Sequence, residues 1–321
     1  MQTIAITATG GPEVLTSTER PDPTVGPGQL LVRVAAAGVN YIDTYYRTGA
    51  YPAELPFVPG LEGVGEVLDC GPDVEEFTVG DRVAWCTTFG SYAEQVLVAA
   101  DAAVAVPDAV PDDQAASALL QGMTAHYLTT STYPVEQGDT VLVHAGAGGV
   151  GLLLTQLARN AGATVIATVS TDAKEELARG TGAAQVLRYS DDLAAQVRDL
   201  TDGDGVAAVY DGVGAATFDA SLAALRIRGT LALFGAASGP VPPVDPQRLN
   251  SAGSVFLTRP SLAHHIHLRD ELLWRAGAVF DAVSTGALSI RIGGRYALAE
   301  AAQAHRDLES RTTTGSLVLL P

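Results

Sequence analysis

A glycine turn between a short apolar strand and a helix constrains the fold of this 321-residue chain most strongly. The turn is Gly146-Ala-Gly-Gly-Val-Gly151, which follows the apolar run 140–144 and opens into 152–158. The first glycine of such a turn permits the tight bend, the second lets the backbone approach a pyrophosphate, and the third lets helix and strand pack closely. The helix N-terminus adds unpaired N–H groups that favour an anion. The order of strand, turn and helix predicts a dinucleotide site at Gly146, Gly148, Gly149, Val150 and Gly151.

The residues after the next predicted strand, 163–169, indicate which dinucleotide is bound. An acidic residue there would hold the ribose hydroxyls of NAD, but the chain continues with hydroxyl residues and then Lys174, its only lysine among 19 basic residues. Ser170 and Lys174 therefore predict a site for the 2′-phosphate of NADPH. The alternative is an ordinary surface lysine in the first turn of a helix, in which Asp172 would be the N-cap.

Strands and helices alternate from about residue 121 onward. Strands are predicted at 140–144, 163–169, 184–189, 206–210 and 229–234, separated by segments with helical apolar spacing such as 217–225. Such alternation implies a parallel sheet covered on both faces, the doubly wound α/β class. Residues 1 to about 120 consist instead of short strands separated by glycine and proline, which predicts a β-rich domain.

The composition excludes several classes of partner and location. The formal net charge of −17 and the absence of a basic run argue against nucleic acid, whose binding depends on clustered cations. No apolar run approaches the roughly 20 residues that a membrane span needs. The segment 1–8 resembles a first strand more than a signal peptide. Cys70 and Cys86 are too few for a zinc ribbon or a disulfide framework, and a cytoplasmic protein is expected.

Four segments carry a resemblance that runs along the chain: 38–52, 120–127, 258–262 and 308–315. They resemble the NADPH-dependent quinone oxidoreductases of the zeta-crystallin type, in the medium-chain dehydrogenase/reductase superfamily. The resemblance implies a GroES-like catalytic domain at 1–120 plus 261–321 and an NADP-binding Rossmann domain at 121–260. It also implies zinc-independent reduction of quinones or α,β-unsaturated carbonyls.

Zinc-dependent members of the superfamily bind their catalytic metal with a cysteine and a histidine. The matching positions here hold Asn40 and Leu61, neither of which is a suitable zinc ligand. No metal is therefore expected. Many relatives carry a lysine after the last glycine of the fourth segment, whereas Ser316 follows Gly315 here, which leaves a polar role at that position open.

The resemblance implies that Asn40, Tyr45 and Tyr51 are the catalytic residues. They would face the nicotinamide and a small-molecule acceptor and donate hydrogen bonds as negative charge develops on the acceptor oxygen. The alternative for the tyrosine-rich stretch 41–51 is a packed loop with hydrated hydroxyl groups.

Further cofactor contacts follow from the same resemblance, and Asn40 is counted among them. Each has a structural alternative: helix surface for Thr124 and Tyr127, a strand-end aromatic for Tyr189, and a salt bridge for Arg259. Phe234 and Gly235 end the strand predicted at 229–234 and would lie at the carboxyl edge of the sheet, where such folds bind ligands. The histidines His144, His264, His265 and His267 are interpreted as scaffold or surface residues.

Two other functions remain open from the sequence. The first is an enoyl-thioester reductase, which would need a basic entrance for its phosphorylated carrier. The second is a non-catalytic structural or RNA-binding relative, which the acidic composition disfavours. The β-prone run 254–258 lies at the predicted margin of the sheet and predicts a homodimer through the nucleotide domain.

Overall fold

The computed structural model describes all residues, Met1–Pro321, and divides them into two compact units. Unit 1 comprises Met1–Met123 and Ile266–Pro321, and unit 2 comprises Thr124–His265. No helix of the chain is long and apolar enough to cross a membrane.

Unit 1 is rich in short strands. Its first part contains β1 (Gln2–Ala5), β2 (Thr16–Glu19), β3 (Gln29–Val39), α1 (Tyr41–Thr48), β4 (Gly63–Cys70), β5 (Arg82–Trp85), β6 (Gln95–Ala99), β7 (Val104–Ala105), α2 (Asp112–Ala115) and α3 (Leu119–Tyr127). The unit boundary falls within α3. Helix α1 covers most of the stretch 41–51, so the packed loop that was the structural alternative there is not observed.

Unit 2 alternates strands with helices. It contains β8 (Thr140–Val143), α4 (Gly149–Asn160), β9 (Thr164–Val169), α5 (Asp172–Gly180), β10 (Gln185–Arg188), α6 (Leu193–Asp199), β11 (Val206–Asp211), α7 (Phe218–Ala224), β12 (Leu225–Leu233), α8 (Gln247–Ser251), β13 (Phe256–Thr258) and α9 (Leu262–His265). The chain then returns to unit 1 as α10 (Arg269–Ser284), β14 (Ile292–Ala297), α11 (Ala301–Glu309) and β15 (Ser316–Leu320).

The central sheet of unit 1 is almost entirely antiparallel and has the order β14-β15-β3-β4-β5-β7, with β6 also paired to β3. Only β14 and β15 run parallel. Along β3 the residues Leu30, Val32 and Val34 alternate with more exposed neighbours, because successive side chains of a strand point to opposite faces. Their buried face packs in one core with Ile4 and Trp85.

The sheet of unit 2 is parallel throughout and has the order β10-β9-β8-β11-β12-β13. Every residue of β11 is buried, as expected for a parallel strand covered on both faces. The strand order reverses between β8 and β11, and ligands of such sheets bind outside the carboxyl ends of the strands at this reversal. The sequence prediction of a β-rich domain with a doubly wound α/β domain is confirmed.

Candidate functional site

The glycine turn of unit 2 lies at the reversal point of the sheet, between the end of β8 and the start of α4. A Cβ atom on Gly146 would stand 2.7 Å from the Cβ of Ala167 on β9, and one on Gly151 would stand 2.3 Å from the carbonyl oxygen of Ala145. Gly148 is the N-cap of α4 and meets nothing closer than 3.2 Å. The first and third glycines therefore permit close packing, and the second leaves room for a ligand beside the helix N-terminus.

Ala145 begins this turn in the left-handed region, with φ of 52°, which is unusual for a residue with a side chain. Its backbone N–H donates to the hydroxyl oxygen of Tyr189 at 2.9 Å. Tyr189 follows β10, so this hydrogen bond connects the end of β10 to the glycine turn. Tyr189 therefore contacts the glycine turn for which the sequence predicts cofactor binding.

The segment after β9 carries the predicted phosphate residues. Ser170 is exposed and Lys174 is half-buried in the first turn of α5. The N-cap of α5 is Thr171, whose hydroxyl oxygen accepts from the backbone N–H of Lys174 at 3.3 Å. The expectation that Asp172 caps this helix is wrong, because Thr171 already offers a hydroxyl in extended backbone one residue earlier.

Arg188, at the end of β10, is a cation of this region that the sequence analysis did not identify. Its guanidinium donates to Asp172 at 2.6 Å, to Glu175 at 2.8 Å and to the carbonyl oxygen of Thr171 at 2.5 Å. The two carboxylates beside Lys174 are therefore paired with a cation. Only the position of an arginine next to Tyr189 could have indicated this role in advance.

A network of buried hydrogen bonds connects the ends of β8, β9 and β11 near the point where the strand order reverses. His144, only 1% exposed, lies 2.9 Å from both the Thr168 and Ser221 hydroxyls, and burial lowers its pKa. Ser221 donates to Asp211 at 2.7 Å. Asp211 also accepts from the backbone N–H of Val213 and Gly214 and from a threonine hydroxyl. The expectation of His144 as buried scaffold agrees with this geometry.

The remaining predicted cofactor residues of unit 2 occupy different environments. Phe234 and Gly235 follow β12 directly and are half-buried. Arg259 donates to the carbonyl oxygen of Pro260 at 3.3 Å and forms no salt bridge, which corrects the alternative proposed for it. Thr124 is 8% exposed.

Tyr127 does not lie on a helix surface, the structural alternative considered for it. It is 2% exposed, and its ring stacks on that of His265 with centroids 4.2 Å apart and planes within 8°. Both residues belong to unit 2, and the stack connects the end of α3 to α9.

Asn40 of unit 1 lies within a chain of buried hydrogen bonds. Its side-chain amide donates to Glu62 Oε2 at 2.8 Å, and its carbonyl oxygen accepts from Gln121 Nε2 at 2.9 Å. Gln121 Oε1 in turn accepts from the Ser316 hydroxyl at 2.7 Å. Ser316 is 2% exposed, and its bond to Gln121 gives this position a polar role. These contacts fix the orientation of the Asn40 amide.

Two carboxyl groups flank Asn40, and both are fully buried. Burial raises the pKa of Glu62 to about 8, and the nearby charge of Asp43 acts in the same direction. Hydrogen bonds from Leu120 and Asn40 oppose this rise. Burial also raises the pKa of Asp43 to about 7, against bonds from the Asn40 backbone and the Tyr92 hydroxyl. The surroundings of Asn40 therefore favour the protonated form of both acids.

The network continues from Asp43 to the surface. Tyr92 donates to Asp43 at 3.2 Å and lies 3.0 Å from His305 Nε2, while His305 Nδ1 lies 2.9 Å from Arg47. Arg47, 1% exposed, completes a bidentate pair with Glu309. Burial and the neighbouring guanidinium lower the pKa of His305 to about 3, so this histidine is neutral.

Tyr45 and Tyr51 contact one another and are both half-buried. Tyr45 lies on α1, Tyr51 follows it, and their ring centroids are 5.2 Å apart. The backbone N–H of Tyr51 donates to the carbonyl oxygen of Tyr45 at 3.0 Å, which holds the loop against the helix. The two tyrosines that were predicted to donate to the acceptor are therefore adjacent in the structure.

No group of three or more His, Cys, Asp or Glu side chains is arranged to hold a metal ion. At the two positions that the sequence resemblance matches to a catalytic zinc site, Leu61 is apolar and 7% exposed, and the carbonyl oxygen of Asn40 accepts from Gln121. These residues do not fit a zinc site.

Comparisons with known proteins place this geometry in a family. The alcohol dehydrogenase GroES-like domain matches residues 26–108, and the zinc-binding dehydrogenase domain matches residues 149–268. A quinone oxidoreductase of Pseudomonas aeruginosa is 44% identical, with 99% of each chain covered. The chain belongs to the quinone oxidoreductase branch of the medium-chain dehydrogenase/reductase superfamily.

Other members of the branch extend the comparison. A 2-haloacrylate reductase of a Burkholderia species is 42% identical over 97% of this chain and 96% of its own. A mycobacterial protein complexed with NADPH is 57% identical with a TM-score of 0.98, and both chains are covered fully. The quinone oxidoreductase of Escherichia coli complexed with NADPH is 38% identical with a TM-score of 0.97, again over the whole of both chains.

Proposed function

We propose that this protein catalyses the NADPH-dependent reduction of quinones or of α,β-unsaturated carbonyls. The proposal rests on the glycine turn between β8 and α4 and on Lys174, which lies on α5 after the adjacent strand β9. Relatives that match the whole chain include quinone oxidoreductases and a 2-haloacrylate reductase, and two similar structures contain NADPH. When bound, NADPH supplies the hydride; the protein supplies orientation and charge stabilisation.

The cofactor residues proposed in unit 2 would contact different parts of the dinucleotide. The turn residues Gly146, Gly148, Gly149, Val150 and Gly151 would bind the diphosphate through backbone N–H groups and the dipole of α4. Ser170, Lys174 and Tyr189 would bind the 2′-phosphate, for which an ammonium and hydroxyl groups are suitable donors. Thr124, Tyr127, Phe234, Gly235 and Arg259 are proposed for the rest of the cofactor.

The catalytic residues proposed in unit 1 are Asn40, Tyr45 and Tyr51. One N–H of the Asn40 amide is committed to Glu62, so the second N–H is the donor that Asn40 would offer to a ligand. The phenols would donate to the acceptor oxygen as it gains charge. A phenol hydroxyl can donate a hydrogen bond without losing its proton, so a donor role does not require either tyrosine to be a rapid proton source.

Steady-state turnover of NADPH with a panel of quinones, enones and enoyl thioesters tests the activity. We expect turnover with quinones or enones, because an enoyl-thioester reductase needs a basic entrance and the chain has a net charge of −17. Turnover of enoyl thioesters alone would favour that rival, and the absence of all turnover would favour a non-catalytic protein.

Replacing both Tyr45 and Tyr51 by phenylalanine tests the acceptor site. The variant keeps the rings and removes the two donors, so kcat should fall more than NADPH affinity. The defect should be larger with enones, whose enolate needs stabilisation, than with quinones. Unchanged rates with both acceptor classes would show that the two tyrosines only pack.

We infer that the protein is a homodimer. Strand β13 lies at the edge of the unit 2 sheet, and Phe256 on it is 62% exposed. An exposed apolar edge strand can pair with its own copy across a two-fold axis. Small-angle scattering should give a dimer mass, and the mass should fall in Phe256→Lys because this change places a charge on the edge. A monomer mass at all concentrations would contradict the inference.

We also propose a cytoplasmic location. Cys70 and Cys86 are both free, as in proteins of reducing compartments. Cell fractionation with an antibody against the chain would test this.

A further inference from the structure

A chain of buried polar side chains in unit 1 has a direction. Ser316 donates to Gln121 at 2.7 Å, and Gln121 donates to the carbonyl oxygen of Asn40 at 2.9 Å. The Asn40 amide then donates to Glu62 Oε2 at 2.8 Å. All of these side chains are at most 8% exposed, so the contacts are shielded from bulk water. Every donor of the chain points toward the carboxyl group of Glu62.

The backbone fixes the end of the chain at Glu62. The N–H of Leu120 donates to Glu62 Oε1 at 2.7 Å, and it lies in the first turn of α3, where a backbone N–H has no acceptor within the helix. A backbone N–H can donate but cannot accept. Gly38 leaves room for the carboxyl group, because a Cβ atom there would stand 2.5 Å from Glu62 Oε2. One side-chain oxygen at position 62 must therefore face Leu120, and the other terminal atom faces Asn40.

The remaining members of the chain can reverse. An asparagine or glutamine amide carries a donor and an acceptor of similar size, and a serine hydroxyl can both donate and accept. An ionised carboxylate only accepts, so it requires Asn40 to turn its NH2 group toward Glu62. An amide at position 62 would have its oxygen held by Leu120 and its NH2 group facing Asn40. Asn40 would then accept from position 62 and donate to Gln121, and Gln121 would donate to Ser316, with no hydrogen bond lost.

The direction of the chain decides what Asn40 offers to a ligand. Its oxygen is bound to Gln121 and one N–H to Glu62, so the second N–H is the donor that remains. In a reversed amide, a lone pair of the carbonyl oxygen would replace that N–H.

We propose that Glu62 is a positioning residue: its carboxylate keeps Asn40 a hydrogen-bond donor, and the chain through Gln121 reverses as a unit when that charge is removed. The inference rests on the proposed function, in which Asn40 donates to a ligand while negative charge develops on the acceptor.

A proton on Glu62 would act like the loss of its charge, because an O–H at Oε2 would donate to Asn40. Burial raises the pKa of Glu62 to about 8, two hydrogen bonds oppose the rise, and the charge of Asp43 adds to it. The other ionisable groups beside it are Cys86 and Tyr92, whose pKa values burial raises well above their usual range. Asn40 should therefore be a donor mainly at pH values above about 8.

Three variants separate orientation from stability. Glu62→Gln reverses the chain and keeps its hydrogen bonds. Gln121→Leu does the opposite, because it removes one donor and one acceptor but leaves the carboxylate beside Asn40. Glu66→Gln is the matched control for the loss of a carboxylate, since Glu66 lies on β4 outside the chain, with a side chain that is 46% exposed.

Steady-state turnover and urea unfolding are measured at about pH 9, where Glu62 is mainly ionised. Glu62→Gln should lower kcat by about ten- to a hundredfold, the effect of one lost hydrogen bond to a charged group, without lowering the urea midpoint. Gln121→Leu should lower the urea midpoint and reduce kcat less. Glu66→Gln should change neither quantity. Losses of kcat that follow the losses of stability across these variants would overturn the positioning role.

The pH profile provides a readout that a purely structural role would not change. The ratio of kcat between the unmodified protein and Glu62→Gln should shrink as the pH falls from about 9 to about 6, because a proton then acts like the amide. Taking the ratio cancels the proton that the reduction itself consumes. A ratio that stays constant over this range would contradict the proposal.

Neutron diffraction from deuterium-exchanged crystals locates the amide without reference to activity. At about pH 9 the unmodified protein should carry deuterium on the Asn40 atom beside Glu62, and Glu62→Gln should carry it on the atom beside Gln121. If no acceptor is reduced but the amide reverses, the proposed function fails and the control of Asn40 by Glu62 stands. The same amide orientation in both proteins would refute the inference even if quinones are reduced.

Discussion

The side-chain amide of Asn40 donates to the carboxyl group of Glu62 over 2.8 Å, and both residues are buried in unit 1. Glu62 also accepts from the backbone N–H of Leu120 at 2.7 Å, so both of its oxygens are engaged. A carboxyl group in this position holds Asn40 in one orientation. It also makes the stability of the protein depend on pH.

The first prediction concerns that dependence. The pKa of Glu62 is raised from 4.5 to about 8, so the folded state holds this proton more tightly than the unfolded chain does. The resulting stability is complete below pH about 4.5 and is lost as the pH rises toward about 8. Glu62→Gln mimics the protonated acid, so its free energy of unfolding should decline less with rising pH.

Urea unfolding at several pH values between about 5 and 8 checks this expectation. Asp43→Asn is the matched control, because the pKa of Asp43 is raised in the same direction, from 3.8 to about 7. The loss of stability that Asp43 causes with rising pH should be complete about one pH unit lower than the loss that Glu62 causes. A slope in Glu62→Gln equal to that of the unmodified protein would contradict the raised pKa.

The second prediction concerns the choice of cofactor. A 2′-phosphate carries about −1.5 to −2 charges, and a hydrogen bond to a charged group contributes roughly 1.5–3 kcal/mol. Lys174→Ala should therefore weaken NADPH binding by about ten- to a hundredfold and leave NADH binding nearly unchanged. Lys174→Arg, which keeps the charge, should restore most of the affinity. Equal losses for the two cofactors, measured by fluorescence titration, would contradict the phosphate assignment.

The third prediction concerns Arg188, which pairs with Asp172 and Glu175 beside Lys174. Its removal would leave Asp172 unpaired and Glu175 paired only with Arg179 near the proposed phosphate. Because Asp172 is fully exposed and Arg188 and Glu175 are only half-buried, solvent screens these charges, and Arg188→Ala should weaken NADPH binding only about two- to fivefold. Adding Asp172→Asn and Glu175→Gln should reverse part of the loss. If the triple variant binds NADPH no better than Arg188→Ala, the carboxylates are not the cause.

The fourth prediction concerns metal. Asn40 and Leu61 stand where zinc-dependent relatives have ligands, and neither suits zinc. NADPH turnover should therefore survive prolonged chelation, and elemental analysis should find less than one zinc per chain. Activity that disappears on chelation and returns with added zinc would refute a zinc-free mechanism.

The sequence predicted the elements of unit 2 well, because buried parallel strands and amphipathic helices have distinct apolar patterns. The strand predicted at 140–144 is observed as Thr140–Val143, and that at 163–169 as Thr164–Val169. Helix caps were harder to predict. Asp172 and Thr171 are both good N-caps by residue type, and only the backbone conformation decides between them.

Contacts between residues distant in sequence could not be predicted. Gln121 and Ser316 are 195 positions apart, yet they form one step of the chain that orients Asn40. Arg188 and Asp172, 16 positions apart, meet only because β9 and β10 are adjacent in the sheet.

The sequence by itself determined the strand, glycine turn and helix at Gly146–Gly151 and the position of Lys174 after the second strand. Those features depend on the steric limits of a tight turn and on the apolar periodicity of a strand and a helix. Residues close together in the sequence satisfy both requirements. Tertiary structure decided that Glu62 and Asp43 become buried acids with raised pKa values, and that Phe57 and Phe89 border one cavity. Burial and ring contacts of this kind depend on which strands and loops pack together, and no short stretch of sequence specifies that arrangement.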